Sequence, residues 1–224
     1  MNEKLRYERK FVIDNLSKKH IEAIIKKNNA MFKEIYYERQ INNIYWDTIR
    51  KQSFKENDSG ISERKKIRVR WYGNLIGEIK KPVLELKNKH NKLTGKKVFK
   101  LKSFQFNNLN DIKKIKNEII KTNLVPKNII EKFKWLKPSL INSYVRKYFL
   151  SIDRKYRITI DTDLKYYDLK GKGLNKEINE NNKIVVELKY NPQHGNEVER
   201  ITNQFPFRLY KNSKYATGIE LLKY

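Results

Sequence analysis

Strand-like segments with one charged face recur along this 224-residue chain. Between Lys65 and Gly73, for example, Lys66, Arg68 and Arg70 alternate with apolar residues. Such period-two alternation is typical of a half-buried β-strand. Eight segments show it, and they are Arg6–Ile13, Asn42–Thr48, Lys65–Gly73, Val83–Lys89, Gly95–Leu101, Ser143–Leu150, Arg157–Thr162 and Lys183–Tyr190.

The charged faces predict a closed sheet with a polar interior. Eight strands suffice to close a barrel, and helices can cover its apolar outer face. Apolar residues at helical spacing predict those helices. The first is capped by Asp14 or Asn15, and the others are Asn110–Thr122, Pro126–Leu136 and Ser213–Leu222, the last of which has Ser213 as its cap. The pattern predicts an α+β fold, an eight-stranded β-barrel with helices packed outside. Residues 1–224 form one domain, and Lys170–Asn182, with Gly171 and Gly173, is predicted to be a loop.

The charge balance indicates an anionic partner. The chain has 51 Lys and Arg against 25 Asp and Glu, a formal net charge of +26. One interpretation is that each charged face is simply solvated. If the faces instead point into a closed interior, the cations are stable only when the interior stays wet or holds a polyanion. No familiar nucleic-acid-binding module is present. Nucleic acid is therefore kept as a candidate partner only for non-specific binding, as a polyanion.

Composition excludes several other classes of protein. The chain has no cysteine, which excludes disulfides and thiolate chemistry. No apolar run approaches the roughly 18 to 20 residues that span a bilayer. Met1 to Lys10 lacks the apolar core of a signal peptide, so a cytoplasmic protein without a membrane segment is expected.

Eight short motifs occur in the order found in a known family. They are Y-E-R-K-F-V-I at Tyr7–Ile13, N-I-Y-W-D-T at Asn43–Thr48, R-V-R-W-Y-G at Arg68–Gly73, L-E-L-K at Leu84–Lys87, T-G-K-K-V-F-K at Thr94–Lys100, Y-V-R-K-Y-F at Tyr144–Phe149, V-E-L-K at Val186–Lys189 and K-N-S-K at Lys211–Lys214. The series resembles the catalytic domain of VTC-type polyphosphate polymerases, which are triphosphate tunnel metalloenzymes. The resemblance implies an eight-stranded antiparallel β-barrel tunnel with helices packed outside. It also implies ATP as substrate, Mn²⁺ or Mg²⁺ as cofactor, and transfer of the γ-phosphoryl group to a growing polyphosphate chain.

The resemblance also implies the site residues. The positions that match catalytic residues are Lys10, Arg68, Arg70, Lys87, Lys100 and Arg146, and those assigned to substrate phosphate are Lys189, Lys211, Ser213 and Lys214. Glu187 matches the metal-binding glutamate. Glu8 and Glu85 are further metal candidates, because carboxylate oxygens suit a hard divalent cation. Replacement of Arg68 or Arg70 by alanine is expected to remove triphosphate binding with little loss of stability.

Two other functions stay open. The wider superfamily often has two glutamates before the first-strand lysine, whereas here Arg6 precedes Glu8, which favours the polymerase over a two-metal hydrolase. The alternatives are a hydrolase of tripolyphosphate or nucleoside triphosphate, and a non-catalytic polyphosphate- or nucleic-acid-binding protein. Binding by the last would depend steeply on salt and not on metal.

Some residues are assigned structural positions rather than roles in the chemistry. Trp71 and Trp135 are expected in the core, and Tyr45 is expected to line the tunnel. His90 is interpreted as a solvated turn residue. Asp161 and Asp163 are interpreted as a strand end and a turn.

Overall fold

The sheet closes into a ring. The computed structural model describes residues 5–170, Leu174 and residues 177–223. Within that part, the strands are β1 (Arg6–Ile13), β2 (Lys33–Asp47), β3 (Glu63–Tyr72), β4 (Gly77–Ile79), β5 (Val83–His90), β6 (Leu93–Lys100), β7 (Phe104–Phe106), β8 (Lys137–Leu150), β9 (Tyr156–Tyr167), β10 (Glu177–Glu180) and β11 (Ile184–Tyr190). Eight of them pair antiparallel in the order β1–β6–β5–β3–β2–β8–β9–β11, and β11 pairs again with β1. The predicted ring of eight antiparallel strands is confirmed.

Four of the helices correspond to predicted ones. In the described residues the helices are α1 (Lys18–Lys27), α2 (Gln52–Asp58), α3 (Asp111–Lys121), α4 (Lys127–Lys134), α5 (Val198–Thr202) and α6 (Lys214–Leu221), with a 3₁₀ turn at Pro192–His194. Helices α2 and α5 were not predicted. Ser17 caps α1, since its hydroxyl accepts from the His20 N–H; the prediction of Asp14 or Asn15 is therefore wrong. Ser213 caps α6 by accepting from the Ala216 N–H, as predicted.

Helices α1, α3 and α4 cover the apolar outer face of the ring. Ile21 and Ile25 of α1 pack in one cluster with Phe11 of β1. On another part of the ring, α3 and α4 pack against outward side chains of β2 and β3, and the ring centroids of Trp46 and Phe133 lie 4.8 Å apart. The predicted outer layer of helices therefore follows from the alternation of the strands.

Helix α6 packs differently from these three helices. Its side chains Tyr215 and Ile219 cluster with Leu140 and Tyr144 of β8. Tyr144 and Leu140 lie two and six residues before Arg146, and this even spacing places all three on the same inward face of the strand. Helix α6 therefore closes part of the ring interior instead of covering its outside.

One wall of the ring is completed by the segment before α6. Strand β1 pairs with β6 only at Arg6 and Tyr7. Farther along β1, Phe11 forms an isolated bridge with Leu209, and the Tyr210 N–H donates to the Lys10 carbonyl at 2.9 Å. The chain preceding Ser213 is thereby held along the interior, although it lies far from β1 in sequence.

Two expectations from the sequence need correction. Strand β10 lies within the predicted loop Lys170–Asn182 and pairs with β9, while Gly171 and Gly173 lie outside the described residues. Trp135 is 82% exposed, because α4 ends one residue before it, whereas Trp71 is buried as predicted. None of the described helices is both long enough and apolar enough to cross a membrane.

Candidate functional site

A cavity of about 690 Å³ lies inside the ring. Among the described residues that line it, Glu8, Asp58 and Glu187 are acidic. The basic ones are Arg6, Arg9, Lys10, Arg64, Lys66, Arg68, Arg70, Lys87, Lys89, Lys92, Lys96, Arg146, Arg157, Lys189, Lys211 and Lys214. The volume is in the range of small-molecule sites, and the lining is that of an anion site.

Two arginines of β3 are held by one glutamate of β5. Arg68 donates to Glu85 Oε2 from Nε at 2.9 Å and from Nη2 at 2.6 Å, and Arg70 Nη1 lies 3.5 Å from the same oxygen. Burial raises the pKa of Glu85, but Arg70 and Arg68 lower that pKa by more, so the carboxylate is ionised. Arg70 also donates to Asn43 and to the Tyr144 hydroxyl, which fixes its guanidinium.

Glu85 therefore has a different position from the one predicted. It is buried and does not line the cavity, and its second oxygen is 3.2 Å from Lys96 Nζ. The assignment of Glu85 as a metal ligand is corrected: its carboxylate positions the two arginines instead.

Glu8 and Glu187 lie on neighbouring strands and do face the cavity. Lys87 Nζ is 2.9 Å from Glu8. Lys189 Nζ lies 2.7 Å and Lys10 Nζ 3.5 Å from Glu187. Burial raises the pKa of Glu187, and the two lysines lower it by more. Burial also lowers the pKa of Lys189, to about 7, against the opposing effect of Glu187.

Asp161 is a central residue of the site that the sequence interpretation missed. It lies within β9, is fully buried, and pairs with Arg146 through two hydrogen bonds, one of them 2.6 Å from Nη2 to Oδ2. Lys214 Nζ is 2.5 Å from the same Oδ2. Asp161 is therefore not a strand end. The signal was present in the alternation, because Arg157, Thr159 and Asp161 share a face of the predicted strand.

The segment before α6 adds polar groups to the opposite wall. Lys10 Nζ donates to the Asn212 carbonyl at 2.8 Å. Lys66 Nζ donates to Ser213 Oγ at 2.6 Å. Lys211 and Lys214 flank these residues, and both line the cavity. The K-N-S-K motif is thus brought against β1 and β3.

The acidic groups do not neutralise the cavity. Sixteen of the described residues that line it are basic, whereas three are acidic. The carboxylates that pair with these cations are Glu8, Glu85, Asp161 and Glu187. The cations of the lining therefore far outnumber the carboxylates beside them.

A family model for the VTC domain matches residues 5–223. The chain belongs to the VTC domain family. A search of curated protein sequences finds no significant match. The family assignment agrees with the resemblance given by the eight motifs.

Solved structures support the fold of this VTC domain. It is similar to HpAC1 from Hippeastrum, described as an adenylyl cyclase with a dominant triphosphatase activity, at 12% identity and a TM-score of 0.53, covering 96% of this chain and 95% of that one. Proteins assigned as adenylate cyclases from Bacillus halodurans (14% identity, TM-score 0.54, coverage 95% and 96%) and Vibrio parahaemolyticus (11%, 0.51, coverage 96% and 98%) are also similar. At these identities the likeness is one of fold.

The cavity of the VTC domain has oxygen atoms suited to a divalent cation. Two buried oxygen atoms, Glu8 Oε1 and Thr159 Oγ1, have no hydrogen-bond partner. Thr159 of β9 lies opposite Glu187 of β11 in the sheet. No group of three or more His, Cys, Asp or Glu among the described residues is arranged to hold a metal ion. Mg²⁺ is usually held by one or two carboxylates together with substrate phosphates. Glu8 and Glu187 fit a cation bound in that way.

The structure brings most predicted site residues together in the VTC domain. The cavity is lined by Lys10, Arg68, Arg70, Lys87, Arg146, Lys189, Lys211, Ser213, Lys214, Glu8 and Glu187. Tyr45 lines it as predicted, and its hydroxyl accepts from Arg68 at 3.2 Å. Lys100 does not line it: this residue is exposed at the end of β6, opposite Val83 at the start of β5. Lys96, four residues earlier on the same face, is the cavity lysine of that strand.

Proposed function

We propose that this VTC domain transfers the γ-phosphoryl group of ATP to the end of a polyphosphate chain and releases ADP, with a divalent cation as cofactor. The excess of cations over carboxylates around one cavity inside the ring is the observation that supports this proposal. A buried cation excess is stable when a polyanion supplies the missing charge. ATP and polyphosphate are the polyanions that the VTC family assignment favours.

The reaction proposed needs positioning more than covalent chemistry. A terminal polyphosphate oxygen forms a new bond to the γ-phosphorus, and the bond from that phosphorus to the β–γ bridging oxygen breaks, with its electron pair leaving on ADP. The attacking oxygen is already ionised near neutral pH, so no general base is required. Stabilisation of charge on the transferring oxygens supplies most of the catalysis in such reactions.

The residues divide into three tasks in this proposal. Arg68 and Arg70, fixed by Glu85, present guanidinium groups that can bind phosphate oxygens in pairs. Lysines on β1, β5 and β11 act as point charges along the chain. Glu8 and Glu187 would hold the divalent cation, which when bound neutralises phosphate oxygens.

A triphosphatase is the second candidate function. The similarity to HpAC1, described as having a dominant triphosphatase activity, favours it. A hydrolase has to orient and activate a water molecule. In this chain Arg6, and not a second carboxylate, lies beside Glu8, with Nε 3.4 Å from Oε1. The position is therefore occupied by a cation, which favours binding of a phosphate chain over activation of water.

The products of ATP turnover distinguish the candidates. The purified protein is incubated with ATP and Mn²⁺, and its products are separated on a polyphosphate gel alongside an ADP assay. Long chains with one ADP per phosphate transferred support the polymerase. Orthophosphate without chains supports the triphosphatase. If ATP is not consumed, both enzymatic proposals are wrong. Glu187→Gln serves as the variant expected to lose turnover, and Lys65→Met, on the exposed outer face of β3, serves as the control.

A further inference from the structure

Lys66 has an unusual environment for a lysine inside the cavity. It projects from β3 on the same face as Arg68. Its Nζ donates to Ser213 Oγ at 2.6 Å and to Asn57 Oδ1 at 2.8 Å. A lysine ammonium has three N–H donors, so one donor has no protein acceptor among the described residues. Both of its acceptors are neutral groups.

Four other inward lysines differ from Lys66 in having a carboxylate. Lys10, Lys87, Lys189 and Lys214 each lie between 2.5 and 3.5 Å from a carboxylate oxygen of Glu8, Asp161 or Glu187. No ion pair joins Lys66 to a carboxylate in the part of the chain that the structure describes. Its charge is therefore the least compensated among these lysines.

The charges around Lys66 are cations. Lys10 of β1, Lys87 of β5, and Arg64 and Arg68 of its own strand all face it. On α6, the Tyr215 ring centroid lies 5.8 Å from its Nζ. Burial, followed by these four cations, lowers the pKa of Lys66 well below the usual value for lysine. An anion placed among these groups would supply the counter-charge that the protein does not.

We infer that Lys66 binds a phosphate oxygen of the substrate, at a position between β3 and Ser213 where the protein offers no carboxylate. The eight family motifs do not assign this residue, since R-V-R-W-Y-G begins at Arg68. The inference rests on the proposed function in one respect, namely that a phosphate chain enters the cavity. It adds a phosphate contact at Lys66 to the phosphate contacts that the family resemblance implies.

Binding of inorganic tripolyphosphate, measured by calorimetry without metal or turnover, tests the inference. We expect Lys66→Met to weaken binding about 10- to 100-fold, the usual effect of losing a hydrogen bond to a charged group. Lys66→Arg keeps the charge and is expected to bind within a few-fold of the wild type. Lys65→Met is the matched control, because Lys65 is the adjacent residue on the exposed outer face of the strand.

The outcomes separate this inference from the proposed function. If the wild type binds tripolyphosphate and Lys66→Met binds equally tightly, Lys66 does not contact phosphate, and the proposed function is unaffected. If the wild type does not bind, both the proposed function and this inference are wrong. Should Lys66→Met fail to fold, Lys66→Gln, which retains a hydrogen-bonding group beside Ser213, replaces it with the same expected loss of affinity.

Discussion

Replacement of Arg68 by methionine tests whether the cavity cations are held in place by buried carboxylates. Arg68 makes two hydrogen bonds to Glu85, and the Glu85 side chain is only 4% exposed. The methionine retains most of the aliphatic volume but removes the charge. The carboxylate of Glu85 is then left with Lys96 at 3.2 Å and Arg70 at 3.5 Å.

We expect this substitution to destabilise the protein. Removal of one partner of a buried ion pair typically costs about 3–5 kcal/mol. Because Lys96 and Arg70 still face Glu85, the loss is expected at the lower end, about 3 kcal/mol. For a domain of this size that corresponds to a melting temperature lower by about 6–12 °C. The ion pair thus reverses the expectation, drawn from the sequence, that loss of Arg68 would leave stability nearly unchanged.

Thermal and urea denaturation of the free protein measure the effect, with Lys65→Met as a control on the outer face of the same strand. The double variant Arg68→Met/Glu85→Gln is expected to recover at least half of the lost stability, because no buried carboxylate is left without its main partner. Both variants are expected to bind tripolyphosphate more weakly than the wild type. A single variant that melts within 2 °C of the wild type, or a double variant without recovery, would refute the ion-pair argument.

Three further predictions follow from individual contacts. Glu187→Gln is expected to bind tripolyphosphate within a few-fold of the wild type but to lose Mn²⁺-dependent ADP release; full activity would place the cation elsewhere. Gly218→Ala is expected to destabilise by about 1–3 kcal/mol in urea, because the added Cβ would lie 2.5 Å from Leu140 Cδ2; an unchanged midpoint would contradict the packing of α6. Trp135→Ser is expected to change stability by less than about 0.5 kcal/mol, whereas Trp71→Ala loses about 3–5 kcal/mol, by the same measurement.

The strands were predictable where alternation sets the two faces over most of their length. The prediction for β1 has the same limits as the strand, because Arg6, Glu8 and Lys10 share one face. Arg9 nevertheless lies on the apolar face and Val12 on the charged one. For β2 only the second half was predicted. Its first half changes register with β8 between Glu34 and Tyr36 and again between Tyr36 and Arg39. A bulge moves the following side chains to the other face, so period two fails as a signal there.

The wall of the cavity depends on pairing between distant strands, which alternation does not encode. Lys96 and Lys100 share a face, and alternation alone does not distinguish them. Pairing with β5 places Lys96 opposite Lys87 and beside Glu85, whereas Lys100 lies opposite Val83 at the strand end and is exposed. Asp161 was misread for a related reason. Asp163 has a positive φ of 52° at a register shift, but β9 continues to Tyr167, so the irregularity is a bulge inside the strand and not its end.

The paired and unpaired cations of the cavity are expected to respond differently to substitution. Arg68 and Arg146 each have a buried carboxylate partner, so their removal leaves an uncompensated negative charge and reduces both stability and phosphate binding. Lys66 has no such partner among the described residues, and its removal relieves repulsion from Lys10, Lys87, Arg64 and Arg68. Its loss therefore weakens phosphate binding without destabilising the free protein. The carboxylates hold the paired cations in position, and the uncompensated charge remains available to the ligand.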